Sequence, residues 1–291
     1  MIELKHDNLV FSFPHAHEDA RLSIDFQRTL RIPDDEGTYS LPPGLGQFPL
    51  RHVDDFAKAV PASWIEHGGV TLPMFQSEAL WLNFDGAWIE DRQASYPFAI
   101  KVATGKLDAV TGKDWSGDLH REPQDYMVVP GQPWLDGYCV EKGLIRQFVA
   151  MPLGSGYSAE EQVTGKAEHG GLQIMVYPMK REVFEKRFPV RPVERMARRR
   201  MSEAICCEAP APAGGMDMGL APGGKMRQEI YEDPFDLADW DLSAPSRCFV
   251  HIANSLVWSG VTGEKPPTAP PTAAEYTRAG LPWFEYYGGD A

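Results

Sequence analysis

Hydrophobic positions in this chain recur mostly at every second residue. The clearest case runs from Leu22 to Ile32, where Leu22, Ile24, Phe26, Arg28 and Leu30 alternate with Ser23, Asp25, Gln27, Thr29 and Arg31. A period of two belongs to a strand with one core face and one wet face. Leu9 to Phe13 predicts a strand before it, and Val70 to Phe84 a return to sheet after Pro- and Gly-rich turns. Two hairpins follow. Ala99–Thr104 turns through Gly105-Lys106 into Leu107–Thr111, and Trp134–Val140 turns through Glu141-Lys142-Gly143 into Leu144–Met151, with Gly143 supplying the positive φ of a short loop. In Leu144–Met151 both faces carry large apolar groups, which predicts a strand covered on both sides. Gln124–Val129, Leu172–Met179, Met226–Tyr231 and Arg247–Asn254 read as further strands, and Pro178 should end its strand's pairing or place it at an edge.

Helical signals are fewer. Asp54 or Asp55 caps a short helix through Ala59, and Pro61 starts another that ends at Gly68-Gly69. Val193, Met196, Ala197, Met201, Ala204 and Ile205 form an apolar face at helical spacing in a stretch rich in Lys and Arg, and Thr272 to Glu275 is a capping box for a helix closed by Gly280. The pattern predicts a mainly β fold with an α+β margin: an antiparallel sandwich or barrel-like body with a few short helices. Residues 1–207 form that body and end in the basic helix. Residues 208–224, rich in Ala, Pro and Gly, read as a linker or loop, and 225–291 as strands and a short helix packing back on the body. The aromatics of Leu281 to Tyr287 are expected to anchor the chain's end, since burying each large side chain is worth roughly 1.5–3 kcal/mol.

Composition narrows the function classes. The chain has 291 residues and a net charge of −13, which argues against general nucleic-acid binding. It has no apolar run of the ~20 residues needed to cross a bilayer, and its first residues lack a signal peptide's apolar core. A soluble, cytoplasmic protein without membrane contact is expected. Four cysteines, Cys139, Cys206, Cys207 and Cys248, show no CxxC spacing and read as free thiols. The glycine pairs lack the spacing of a phosphate loop, so no nucleotide site is expected.

Three groups of residues are candidates for chemistry. His15, His17 and Asp19 lie in the loop between the first two predicted strands, and an H-x-H pair with an added carboxylate can hold a divalent metal. Cys139 with His169 and Asp136 would make a thiol nucleophile with its base. Gln76, Glu78, Asp136 and Arg146, on neighbouring strands, could line a hydrolase pocket. Among the tryptophans, Trp88 and Trp115 stand in polar contexts and are expected to be exposed, as a platform for a carbohydrate, another small ligand or a protein partner.

The segments LPMFQSEALW, QDYMVVPGQPWLDG, IRQFVAMPLGSGYSAEEQVTG, GGLQI and TAAEYTRAGLPWFEYY resemble a family of uncharacterised proteins, some of which carry ubiquitin-like repeats ahead of this region. The resemblance covers the chain from about Val70 onward and implies an association with ubiquitin-type pathways but no catalytic residue. This chain has neither a ubiquitin-like module nor a terminal diglycine, since Gly288-Gly289 is followed by Asp290-Ala291. The expected role is binding or assembly without a cofactor, with a protein partner or a second copy; a hydrolase and a metal-binding protein are the alternatives.

Overall fold

The computed structural model describes residues 1–34, 37–39, 42, 44–166, 169–191, 217–271, 275 and 278. Strands make up 42% of it, mostly antiparallel; four short α-helices accompany them among the described residues, and the sheet is not closed. The chain opens with Ile2–Lys5 paired to Asn8–Ser12 across His6-Asp7. Asn8–Ser12 pairs with Arg21–Thr29, and that strand runs the full length of Ala79–Gly86, from Leu22 opposite Gly86 to Thr29 opposite Ala79. Ala79–Gly86 then meets Leu144–Pro152 only at its first residues, with Leu80 opposite Phe148.

Leu144–Pro152 is flanked by its hairpin partner Gly137–Glu141 and by Asp217–Met226. The turn between the hairpin arms uses Gly143 at φ 77°, as its sequence predicts. Beyond Asp217–Met226 come Ser246–Asn254, Leu172–Pro178 and Phe98–Thr104 in turn. Val70–Met74 joins Ser246–Asn254 in parallel, one of two parallel pairings among the described strands. Although the sheet stays open, it curls until Phe13 and Phe98, from far-separated strands, bring their rings within 5.6 Å in one apolar core.

Several expectations need correction. The outer face of Arg21–Thr29 is not simply wet: Asp25 is buried and its carboxylate accepts from Gln27 Nε2 at 2.6 Å and Asn83 Nδ2 at 2.9 Å, so a polar ladder covers it. The stretch expected to be a linker to residue 224 is, from Asp217 on, a strand that continues to Met226. Its small residues are there for close packing. A Cβ on Gly224 would collide with the Pro33 carbonyl oxygen, and one on Gly223 would stand 2.6 Å from Val149 Cγ2. Residues 227–231 are irregular, so the expected Met226–Tyr231 strand ends where it was to begin. A helix not foreseen, Ser255–Thr262, follows the Ser246–Asn254 strand; the Asn254 side chain accepts from Leu256 N–H at 3.0 Å and so caps it. The expected Asp54 helix is a 3-10 turn, Val53–Phe56, and the Pro61 helix is Ala62–His67.

The basic helix of residues 193–205, residues 208–216 and the aromatic tail lie outside the described residues, as does most of the capping-box helix. No helix of the described residues is long and apolar enough to cross a membrane. Cys139 and Cys248 are free thiols.

Candidate functional site

The joint Gly68-Gly69, between the Ala62–His67 helix and the Val70–Met74 strand, builds one wall of a cleft. Gly69 sits at φ 90°, and a Cβ there would collide with the Phe249 carbonyl oxygen, so the chain lies flush against the Ser246–Asn254 strand. This approach lays Trp64 on His251, with centroids 4.7 Å apart and planes 20° from parallel, and His67 on Phe249 at 4.7 Å. His251 Nε2 donates to the Gly68 carbonyl at 3.0 Å, which places the proton on that nitrogen because a carbonyl only accepts. Burial pushes the His251 pKa down to about 4, so the ring is neutral near pH 7.

The facing wall comes from two other loops. At the tip of the Phe98–Thr104 hairpin, the Gly105 carbonyl accepts from Gln173 Nε2 at 3.1 Å and the Lys106 carbonyl from Trp115 N–H at 2.8 Å. His169, ahead of Gly170-Gly171, turns its ring edge toward His67 with centroids 6.4 Å apart. Behind Trp115 lies Lys101, an almost wholly buried amine. Its Nζ donates to Asp125 Oδ2 at 2.7 Å and to the Asp118 carbonyl at 2.6 Å, and it sits 5.2 Å from the Trp115 ring. His120 Nδ1 meets the same Asp125 oxygen at 2.7 Å. A buried amine needs such partners, and here they fasten the loop that carries Trp115.

The walls enclose about 350 Å³. Trp115 and Phe249 supply rings, with the buried Trp64 backing the wall under His251, and Lys106 and Arg247 supply positive charge; the Arg247 guanidinium lies 4.9 Å over the Phe249 ring. Among the described residues no Asp or Glu lines the cleft, although the buried Glu160 carboxylate accepts from the His169 N–H at 3.0 Å. Such a hollow can stack a flat ring and pair an anionic group.

Of the residues singled out in the sequence, Trp115 and His169 line this cleft. Trp88 is exposed and lies in a different hollow, with Trp115 only partly exposed. Cys139 and Asp136 do not line the cleft with His169. Cys139 Sγ donates to the Glu141 carbonyl at 3.5 Å, and burial raises its pKa, which disfavours the thiolate. None of the four hydrolase candidates lines this cleft. Gln76 is exposed on a turn, Arg146 pairs with Asp34 at 3.1 Å, and Glu78 is buried against Arg28 at 2.8 Å. Asp136 is buried too, and burial pushes its pKa to about 7.

His15 and His17 face apart. His15 Nε2 lies 3.5 Å from Asp241, while His17 Nδ1 accepts from the Asp19 backbone N–H and its ring packs on Phe184. Among the described residues no group of three or more His, Cys, Asp or Glu side chains is placed to hold a metal ion.

Sequence reasoning passed over Trp64, His67, Lys106, Arg247, Phe249 and His251. The available signal was the two glycine pairs, Gly68-Gly69 and Gly170-Gly171, each beside a histidine, which mark places where backbones press together. The chain matches no protein-family model, no curated protein and no solved structure.

Proposed function

We propose that the protein binds a small anionic molecule bearing a flat ring, held between Trp115, Phe249 and Arg247. The observation that carries this reading is a reversal of charge. A chain of net charge −13 lines one aromatic cleft with Lys106 and Arg247 and, among the described residues, with no carboxylate. Since the protein's overall field repels anions, a local cationic hollow is what admits one. The planar fork of Arg247 suits a carboxylate or phosphate, and the Trp115 indole and the Phe249 phenyl suit the ring.

Calorimetric titration tests it with four probes: an aromatic carboxylate, a nucleoside monophosphate, a neutral aromatic ring and inorganic phosphate. The ring-bearing anions are expected to bind more tightly than either part alone, with affinity falling as salt is added. Arg247→Ala should weaken them about tenfold or more. Equal binding of the neutral ring, or an Arg247→Ala variant that binds unchanged, would remove this reading.

A further inference from the structure

A second hollow, of about 450 Å³, lies apart from the cleft and has the opposite character. Its walls are the rings of Trp88, Phe188, Tyr231 and Phe235 with prolines between them, and among the described residues Glu232 is the single charged side chain that lines it. Trp88 is 49% exposed and Tyr231 45%, unusual for side chains of this size unless something covers them. The Trp88 indole N–H and the Tyr231 hydroxyl make no hydrogen bond within the described residues. The groove therefore offers flat apolar slots, two free donors and one negative charge.

We infer that this groove docks a proline-rich segment of a partner protein, with a basic residue beside its prolines. An extended proline-rich chain has ring faces that fit between aromatic side chains. It keeps its carbonyl oxygens but lacks N–H groups at proline, so it needs donors from the surface it binds. Trp88 and Tyr231 supply those donors. The segment is already near its bound shape when free, so ordering it costs little entropy and a modest groove is enough. Glu232 sets the flanking charge, because a base beside the prolines meets it and an acid is repelled.

Fluorescence anisotropy of a labelled synthetic proline-rich peptide ending in arginine tests the assignment on the full chain. The peptide is expected to bind, and the same peptide with alanine in place of proline is not. Trp88→Ala should weaken binding by about tenfold or more. Tyr231→Phe, which keeps the ring and removes its donor, and Trp88→Phe, which removes the indole N–H together with one of its two fused rings, should each weaken it by about threefold to tenfold. Glu232→Gln should weaken the arginine-ended peptide by about threefold and leave a neutral-ended one unchanged. Because Tyr231→Phe and Glu232→Gln alter only polar atoms of exposed side chains, they remain informative should Trp88→Ala fold poorly. Absence of binding, equal binding of the alanine peptide, or indifference to Trp88→Phe, Tyr231→Phe and Glu232→Gln would overturn the proposal. So would a self-association of the protein that the Tyr231→Phe change abolishes, since the occupant would then be a second copy.

Discussion

Trp64 and His251 stack face to face at 4.7 Å, and the imidazole in this stack is tied to the Gly68 carbonyl at 3.0 Å. The pair joins a helix to a strand that lies far from it in sequence. It also fixes the charge of one wall of the cleft, because a ring held in this way, and pushed by burial to a pKa of about 4, stays neutral.

A pH dependence follows from that shift. The unfolded histidine takes up its proton near 6.5 and the folded one near 4, so the unfolded state binds more protons between those values. Stability contributed by the neutral ring is present above pH 6.5 and is lost as pH falls toward 4. Denaturant melts should show His251→Gln, which keeps an N–H donor, losing less stability than the parent between pH 7 and pH 4, by up to about 3 kcal/mol. Parallel curves for the two proteins would contradict this account.

Asp136 should act in the opposite sense. Its folded pKa of about 7 lies above the ordinary 3.8, so its contribution is fully present below pH 3.8 and is lost as pH rises through 7. Asp136→Asn removes the cost of ionising a buried carboxyl. Its melting temperature should exceed that of the parent at pH 8, and the difference should shrink toward pH 4. A variant less stable than the parent at pH 8 would mean that the carboxylate has a compensating partner.

How much of this was legible beforehand depended on the range of the interaction. Alternation placed the Leu22 strand, a run rich in branched and aromatic residues placed the Leu144 strand, and Gly105 and Gly143 marked real turns, because these features act between near neighbours. The cleft was mostly hidden. It is made from residues 63–67, 105–115, 169–173 and 247–251, and Ser246–Asn254 brings three of these segments together, taking Leu172–Pro178 on one side and Val70–Met74 in parallel on the other. A parallel pair leaves no local mark in a sequence. Asp217–Gly224 misled for a different reason, since glycine there serves contact with Pro33 and Val149 where local propensity suggests a loop.

The ion pair of Arg28 with Glu78 gives a stability prediction. Glu78 Oε1 accepts from Arg28 Nε at 2.8 Å, its other oxygen accepts from the Phe75 N–H at 2.9 Å, and Arg28 Nη2 continues to the Thr268 carbonyl at 2.5 Å. Glu78→Ala leaves a buried guanidinium without its partner and should cost about 3–5 kcal/mol in urea melts. Arg28→Ala should in addition free the backbone around Thr268, seen as faster limited proteolysis between Glu264 and Pro271 at temperatures where the body stays folded. Unchanged cleavage there would show that the Thr268 contact does not hold the segment.

Glycine substitutions separate close packing from idle flexibility. Gly224 lies in the strand that replaced the expected linker, and a Cβ there would collide with the Pro33 carbonyl oxygen, a backbone atom that cannot swing aside. Gly224→Ala should therefore destabilise by about 2 kcal/mol or more, as overpacking does. Gly260 lies in the exposed part of the Ser255–Thr262 helix with nothing within 4 Å of the added carbon. Gly260→Ala should stabilise by about 0.5–1 kcal/mol, because alanine loses less backbone freedom than glycine on entering a helix. Opposite shifts in melting temperature are the expected result. A harmless Gly224→Ala would mean that residues 217–224 do not pack against Pro33 and that the loop reading of this stretch was correct.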